Sequence, residues 1–328
     1  MNQLFEHALK NAKTIVILGH LHPDGDCVGS TLGLYNYLTA QYPEQEIDLY
    51  LDHPPLKFSY LKNFDCIHCE YEEGKSYDLC ITCDSSDLER LGVFLPYFHG
   101  AKDSFCIDHH VTNRGFAAHN CVKPNASSAC EVLYSLLNED AIDLSVAECL
   151  YTGIVHDTGV FKFSCTSGKT MEIAGKLMDK GIDCTEIIDG SFYRKTYVQN
   201  QILGRALLES VLFMDGKCVF SAVRKKEMDF YGVTGQELDG IIDQLRLTEG
   251  VEVAIFLYET GVCEFKVSLR SCHYVDVSRI AAYYGGGGHV RAAGCTMSGS
   301  IHDVLNNLAV HIEKQIHTWE AEHGCFTE

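Results

Sequence analysis

The chain has 328 residues, 46% hydrophobic and 22% charged, a soluble globular balance with enough length for two domains. Its formal net charge of −19 disfavours long polyanions, whose binding rests on neutralised phosphates, so a nucleotide ligand is expected to be short and locally held. No apolar run approaches a membrane span, and MNQLFEHALKNAK at the N-terminus lacks a basic region followed by an apolar core, so no membrane association and a cytoplasmic location are expected.

The first half alternates strand-like and helical patterns. TIVILGH, from Thr14, is β-branched and apolar; a glycine turn follows, then STLGLYNYLTAQY with helical spacing. IDLYLD from Ile47, YDLCITCD from Tyr77 and DSFCIDHH from Asp103 read as further short strands. Apolar strands separated by helices imply βαβ units and a parallel sheet with helices on both faces. Ser128 with Glu131, and Ser145 with Glu148, fit capping boxes that start two helices. The second helix should end near Asp157, where DTG breaks the pattern. Residues 191–210 are helical in composition and more basic than their surroundings, and read as a connector. Beyond it the pattern changes. VLFMDGKCVFSAV and VEVAIFLYETGVCEFKVSLRS read as hairpins around Asp215-Gly216 and Thr260-Gly261, followed by GGGGHVRAAG and a helical end. The expected organisation is an α/β catalytic domain over 1–190, a helical connector over 191–210, and a smaller mixed α/β domain over 211–328.

The chain holds 16 cysteines. Cys66/Cys69 and Cys80/Cys83 together resemble a zinc-ribbon spacing. However, YDLCITCD reads as a strand, on which residues three apart face opposite sides and cannot chelate together. Cysteine is read here as a small buried hydrophobe.

Acidic residues and histidines recur at strand ends. LGHLHPDGD follows the first strand, Asp84 ends another, and Asp108, His109 and His110 end a third. In an open parallel sheet ligands bind beyond the carboxyl ends of the strands, so these ends should converge. IVHDTGVF adds Asp157 at a helix terminus. Each motif alone has a plain reading: a capping aspartate, or a solvated histidine. Their joint occurrence in one βα context points to a site.

Taken together, HLHPDGDCVGS, CDSSD, DHHVTN and GIVHDTGVF resemble the motifs of the DHH phosphoesterases, and GGGGHVRAAG resembles the signature of the DHH-associated domain. The resemblance covers nearly the whole chain. It implies a doubly wound fold and a dinuclear metal site: His20, Asp24 and Asp84 on one ion, and Asp26, Asp84, His109 and Asp157 on the other. Carboxylates with imidazoles suit Mn2+, with Mg2+, Co2+ or Fe2+ as alternatives. Two such ions, about 4 Å apart, activate water and stabilise in-line attack on phosphorus. His110 is expected to polarise or protonate the leaving oxygen, with Asp108 orienting a histidine. Cys27 stands where the family often has a small residue and is expected to pack inward. Asn113, Arg270, the run Gly286, Gly287 and Gly288, His289 and Arg291 are expected to hold substrate, the glycines by offering N–H groups to a phosphate at a helix N-terminus.

The expected activity is hydrolysis of short oligoribonucleotides to mononucleotides and dephosphorylation of 3′-phosphoadenosine 5′-phosphate. Cyclic di-AMP or pApA hydrolysis is the alternative within this chemistry, and a catalytically silent nucleotide sensor the alternative outside it. Long nucleic acid is not expected as a partner. A homodimer is compatible with the resemblance.

Overall fold

The computed structural model describes residues 3–324. They form two compact units, divided between Arg194 and Lys195.

In the first unit six strands form one all-parallel sheet: β1 (Thr14–Leu18), β2 (Glu46–Tyr50), β3 (Ile67–His68), β4 (Leu79–Cys83), β5 (Asp103–Asp108) and β6 (His119–Val122). Their spatial order is β3-β2-β1-β4-β5-β6. The chain winds outward one way from β1, then restarts at β4 and winds the other way. The reversal lies between β1 and β4, which pair with Leu18 opposite Thr82. This is the position where doubly wound sheets open a crevice for ligand.

Side-chain alternation divides the core. Ile15, Ile17, Ile81, Cys83 and Ile107 face a large layer built with the helices Gly25–Gln41, Ala129–Tyr134 and Leu144–Asp157. Val16, Leu18, Tyr50 and Cys80 face the other layer, with Leu91, Phe94 and Tyr97. Cys80 and Cys83 therefore lie on opposite faces, as strand geometry requires.

The helix after β1 starts at Gly25, five residues before the start expected from its pattern. Asp24 caps it, accepting hydrogen bonds from the N–H groups of Asp26 and Cys27, so Pro23-Asp24-Gly25 is a helix entry rather than a free turn. Helix Leu144–Asp157 is capped by Asp143, not Ser145; Ser145 donates its hydroxyl to Asp143. These two helices pack closely because their facing positions are small. A Cβ on Gly29 would sit 2.5 Å from the Cys149 carbonyl, and one on Gly25 would sit 2.2 Å from the His156 ring.

The second unit is a mixed six-stranded sheet of β7 (Val211–Phe213), β8 (Cys218–Val223), β9 (Val253–Gly261), β10 (Glu264–Ser271), β11 (Gly287–His289) and β12 (Ala292–Ser298), ordered β11-β12-β10-β9-β8-β7. Only β8 and β9 pair in parallel. Apolar layers cover both faces, one with helix Ile301–His323 and one with helix Tyr197–Leu208. The latter falls within the segment read from sequence as a connector, and buries Ile202 and Ala206 in the second unit.

Candidate metal centre

Three strand ends supply the site. After β1, His20 is buried and its Nδ1 lies 2.7 Å from the Leu21 carbonyl. A carbonyl only accepts, so Nδ1 carries a proton and Nε2 is the ring atom turned toward the carboxylates. Nε2 lies 3.4 Å from Asp84 Oδ2 and 3.7 Å from Asp24 Oδ1. Asp26, in the first helical turn, is fully buried. Its carboxylate accepts the N–H groups of Ala129 at 2.5 Å and Cys130 at 3.0 Å, at the start of helix Ala129–Tyr134.

After β4, Asp84 adopts φ +55°, a left-handed conformation that costs a non-glycine residue about 1–3 kcal/mol. Its N–H is held by the Ile107 carbonyl of the neighbouring strand. Its Oδ1 is buried without any hydrogen-bond partner among the described residues. Strain and an orphaned carboxylate oxygen at one residue mark a site selected for something other than stability.

After β5, His109 repeats the arrangement of His20. Its Nδ1 faces the Ala126 carbonyl at 3.4 Å, and Nε2 lies 3.1 Å from Asp157, 3.6 Å from Asp84 and 3.9 Å from Asp26. Asp157 is the last residue of its helix, and the loop beyond it holds Gly159, Val160 and Phe161 all at positive φ. His110 points its Nδ1 at Asp108 Oδ1, 2.7 Å away. Asp108 is buried, and its Oδ2 accepts the Asn113 side-chain N–H at 2.7 Å.

The electrostatics follow from this crowding. Burial, then the Asp84 carboxylate, pushes Asp26 up to about 7. Burial and the carboxylates of Asp26 and Asp84 push Asp157 up to about 9. Burial works against a charged His109, yet Asp84, Asp26 and Asp157 lift it to about 10. Burial also opposes ionisation of Asp108, but hydrogen bonds from His110 and Asn113 outweigh it and hold its pKa below the ordinary value. Converging carboxylates of this kind bind either protons or cations. The donors group as Asp26, His109 and Asp157; as His20, Cys27 and Asp84; and as Asp84, Asp108, His109 and His110, each set within 4.8 Å. Imidazole Nε2 lone pairs, carboxylates and the orphaned Asp84 Oδ1 fit divalent cations, and Asp84 belongs to two of the three sets.

All six ligands expected from the sequence therefore lie at one sheet edge. Asp24 is also the helix cap, and Asp26 accepts the first N–H groups of a different helix. His22 is exposed beside Asp52. His156 is a neutral packing ring, lowered to about 4 by burial and then by Lys57; it lies between Phe58 and Phe192 and against the Ser191 hydroxyl. Cys27 is buried, as expected, but its packing also brings its sulfur beside His20 and Asp84. Gly153, which sequence reasoning passed over, matters because a Cβ there would meet Asp26 Oδ1 at 2.7 Å.

The other expected substrate residues are differently placed. Asn113 uses both ends of its amide within the protein, donating to Asp108 and to the Ser85 carbonyl of the loop after β4 and accepting from Gly115. In the second unit the glycine run does not open a helix. It follows the C-terminal end of helix Val277–Tyr283 and continues as the edge strand β11. Two of its glycines are needed for close backbone approach: a Cβ on Gly286 would lie 2.2 Å from the Gly294 carbonyl, and one on Gly288, at φ +143°, 2.5 Å from the Ala292 carbonyl. His289 is exposed on that edge. Arg270 lies 3.4 Å from Asp243, and Arg291 donates to the His273 and Val275 carbonyls.

A doubly wound sheet with an Asp/His cluster at its switch point agrees with the family comparison. The model of the DHH family N-terminal domain matches residues 14–154, and that of the DHHA1 domain matches residues 215–318. The chain belongs to the DHH family and is a hydrolase of phosphoester bonds. It is 30% identical to the bifunctional oligoribonuclease and PAP phosphatase NrnA of Bacillus subtilis (strain 168) over 289 residues, 87% of this chain and 89% of the relative. It is also 30% identical to the protein of that name from Thermus thermophilus over 291 residues, 87% of this chain and 84% of the relative. Among solved structures, an exopolyphosphatase-related protein from Bacteroides fragilis superposes with a TM-score of 0.87 at 25% identity, covering 95% of each chain.

Proposed function

We propose that this protein is a metal-dependent phosphoesterase that degrades very short oligoribonucleotides to mononucleotides and removes the 3′-phosphate from 3′-phosphoadenosine 5′-phosphate. The observation that carries the reading is the presentation of His20 Nε2 and His109 Nε2 to the two oxygens of buried Asp84, Oδ2 and the orphaned Oδ1. Relatives at 30% identity over most of the chain, named for these two activities, support the choice of substrates.

His20, Asp24 and Asp84 would hold one divalent cation, and Asp26, Asp84, His109 and Asp157 a second, Mn2+ in the first instance. When bound, the ions supply charge neutralisation at a phosphoryl group and activation of water. The chain's own residues do the rest. Leu21 and Ala126 carbonyls aim the two imidazoles. Asp108, kept ionised by its hydrogen bonds, holds the His110 ring through Nδ1, so Nε2 is the atom that carries a proton to the leaving oxygen. Asn113 fixes Asp108 in turn. On the second unit, the edge strand Gly287–His289 and Arg270 are the proposed anchors for a terminal phosphate or base. The net charge of −19 suits short substrates and a cytoplasmic enzyme without affinity for long nucleic acid.

The test is chromatographic product analysis with Mn2+ on two- to five-nucleotide RNAs, pApA, cyclic di-AMP and 3′-phosphoadenosine 5′-phosphate. The reading expects mononucleotides from the short RNAs, phosphate release from the bisphosphate, and loss of both in Asp84→Asn. Failure to turn over short RNAs and the bisphosphate, or an Asp84→Asn variant as active as wild type, refutes it.

A further inference from the structure

We propose that Cys27 is a direct ligand, as thiolate, to the cation held by His20 and Asp84, and that it biases this site toward thiophilic divalent ions. The proposal rests on the metal-centre reading but concerns a residue outside that ligand set. Cys27 is completely buried in the first turns of helix Gly25–Gln41. Its Sγ packs under Gly19, where a Cβ would come within 2.4 Å of it, directly before His20. The sulfur, a His20 ring nitrogen and an Asp84 carboxylate oxygen all lie within 4.8 Å of one another. Donors around one ion, at about 2.0–2.3 Å from it, sit at most about 4.6 Å apart, so small side-chain rotations bring all three onto one cation.

The second observation is Asp84 itself. It is 2% exposed, and its Oδ1 has no partner among the described residues. The carboxylate beside the thiol is therefore buried, meets His20 through Oδ2 at 3.4 Å, and leaves its other oxygen without a hydrogen-bond partner among the described residues. A thiolate ligand forms together with cation binding, and its proton leaves to solvent. A sulfur donor changes the chemistry of the site. An all-oxygen-and-nitrogen set suits Mn2+ or Mg2+; one thiolate favours Zn2+, Co2+ or Fe2+ at that position.

The experiment is a Co2+ titration of the full metal-stripped chain, followed by absorbance. Visible d–d bands report binding at the site, and a near-ultraviolet thiolate-to-cobalt charge-transfer band reports sulfur ligation. The wild type and Cys66→Ser, which removes an exposed cysteine, should show both bands. Cys27→Ala and Cys27→Ser should keep d–d absorption and lose the charge-transfer band. Competition should show their preference for Zn2+ over Mg2+ falling at least about tenfold, the lower range for perturbing a metal's surroundings. Thermal melts of both variants check that the fold is retained, and the serine variant stands in if alanine unfolds the helix start. A charge-transfer band unchanged in the Cys27 variants, or d–d bands without charge transfer in wild type, overturns the proposal alone. No cobalt absorption in wild type overturns it together with the metal-centre reading.

Discussion

Gly153→Ala is the sharpest structural test because helix propensity and packing predict opposite signs. Alanine in a helix interior is favoured over glycine by about 0.8–1.0 kcal/mol. At position 153 the added Cβ would lie 2.3 Å from Cys130 Sγ and 2.7 Å from Asp26 Oδ1. Opening the second contact to an ordinary separation of 3.4 Å moves that oxygen, or the helix carrying it, by about 0.7 Å. The carboxylate cannot retreat freely, since the N–H groups of Ala129 and Cys130 hold it. Ligand distances in well-formed metal sites fall within about 0.2 Å of their usual values. Overpacking of this kind destabilises by about 1–3 kcal/mol, enough to exceed the propensity gain, and should lower Mn2+ affinity by about 10–100-fold. Gly175→Ala is the control: it lies in helix Gly168–Met178 with nothing within 4 Å of the added Cβ, and should melt at or above wild type. The assays are thermal melting without metal and Mn2+ titration of activity. A Gly153→Ala protein that melts no lower than wild type and binds Mn2+ equally well would refute the packing argument.

Further outcomes follow from the same geometry. Asp108→Asn should lower kcat by about 10²–10⁴-fold while leaving metal content unchanged, because it releases His110 and no expected metal ligand; equal loss of bound metal would contradict that division. Asp26, Asp157 and His109 all bind protons more tightly in the folded chain than when unfolded, so metal-free stability should fall as pH rises from about 4 toward 10. Melting of the stripped protein at about pH 5.5 and pH 8.5 should show the lower Tm at the higher pH, and Mn2+ should raise Tm more there. Gly288→Ala, at φ +143° with the Ala292 carbonyl 2.5 Å away, should distort the β11–β12 hairpin and raise KM, with Mn2+ affinity preserved; an unchanged KM removes this strand from substrate binding.

Much of the architecture is written in local pattern. Continuous apolar strands between helices specify a parallel sheet, and the clustering of His20, Asp24, Asp84 and His109 at strand ends, with Asp157 at a helix end, marks its crevice. What the pattern could not supply depends on contacts distant in sequence. Asp26 caps a helix more than a hundred residues away, which no spacing rule reveals. The helix entry at Gly25 is hidden because Pro-Asp-Gly carries the same local chemistry in a turn and at a helix start. The glycine run resembles a phosphate loop by composition, yet its glycines answer to strand contacts with Gly294 and Ala292. Cys27 is legible as buried, but not as a neighbour of Asp84, since that neighbour follows β4, far off in sequence.

The central claim, that three strand ends build a two-ion centre, is tested most directly by anomalous diffraction from crystals soaked in Mn2+. Two peaks are expected, one bounded by His20, Asp24 and Asp84 and one by Asp26, His109 and Asp157, with Asp84 touching both. Strong manganese peaks elsewhere on the chain, with none at this sheet edge, would contradict the account.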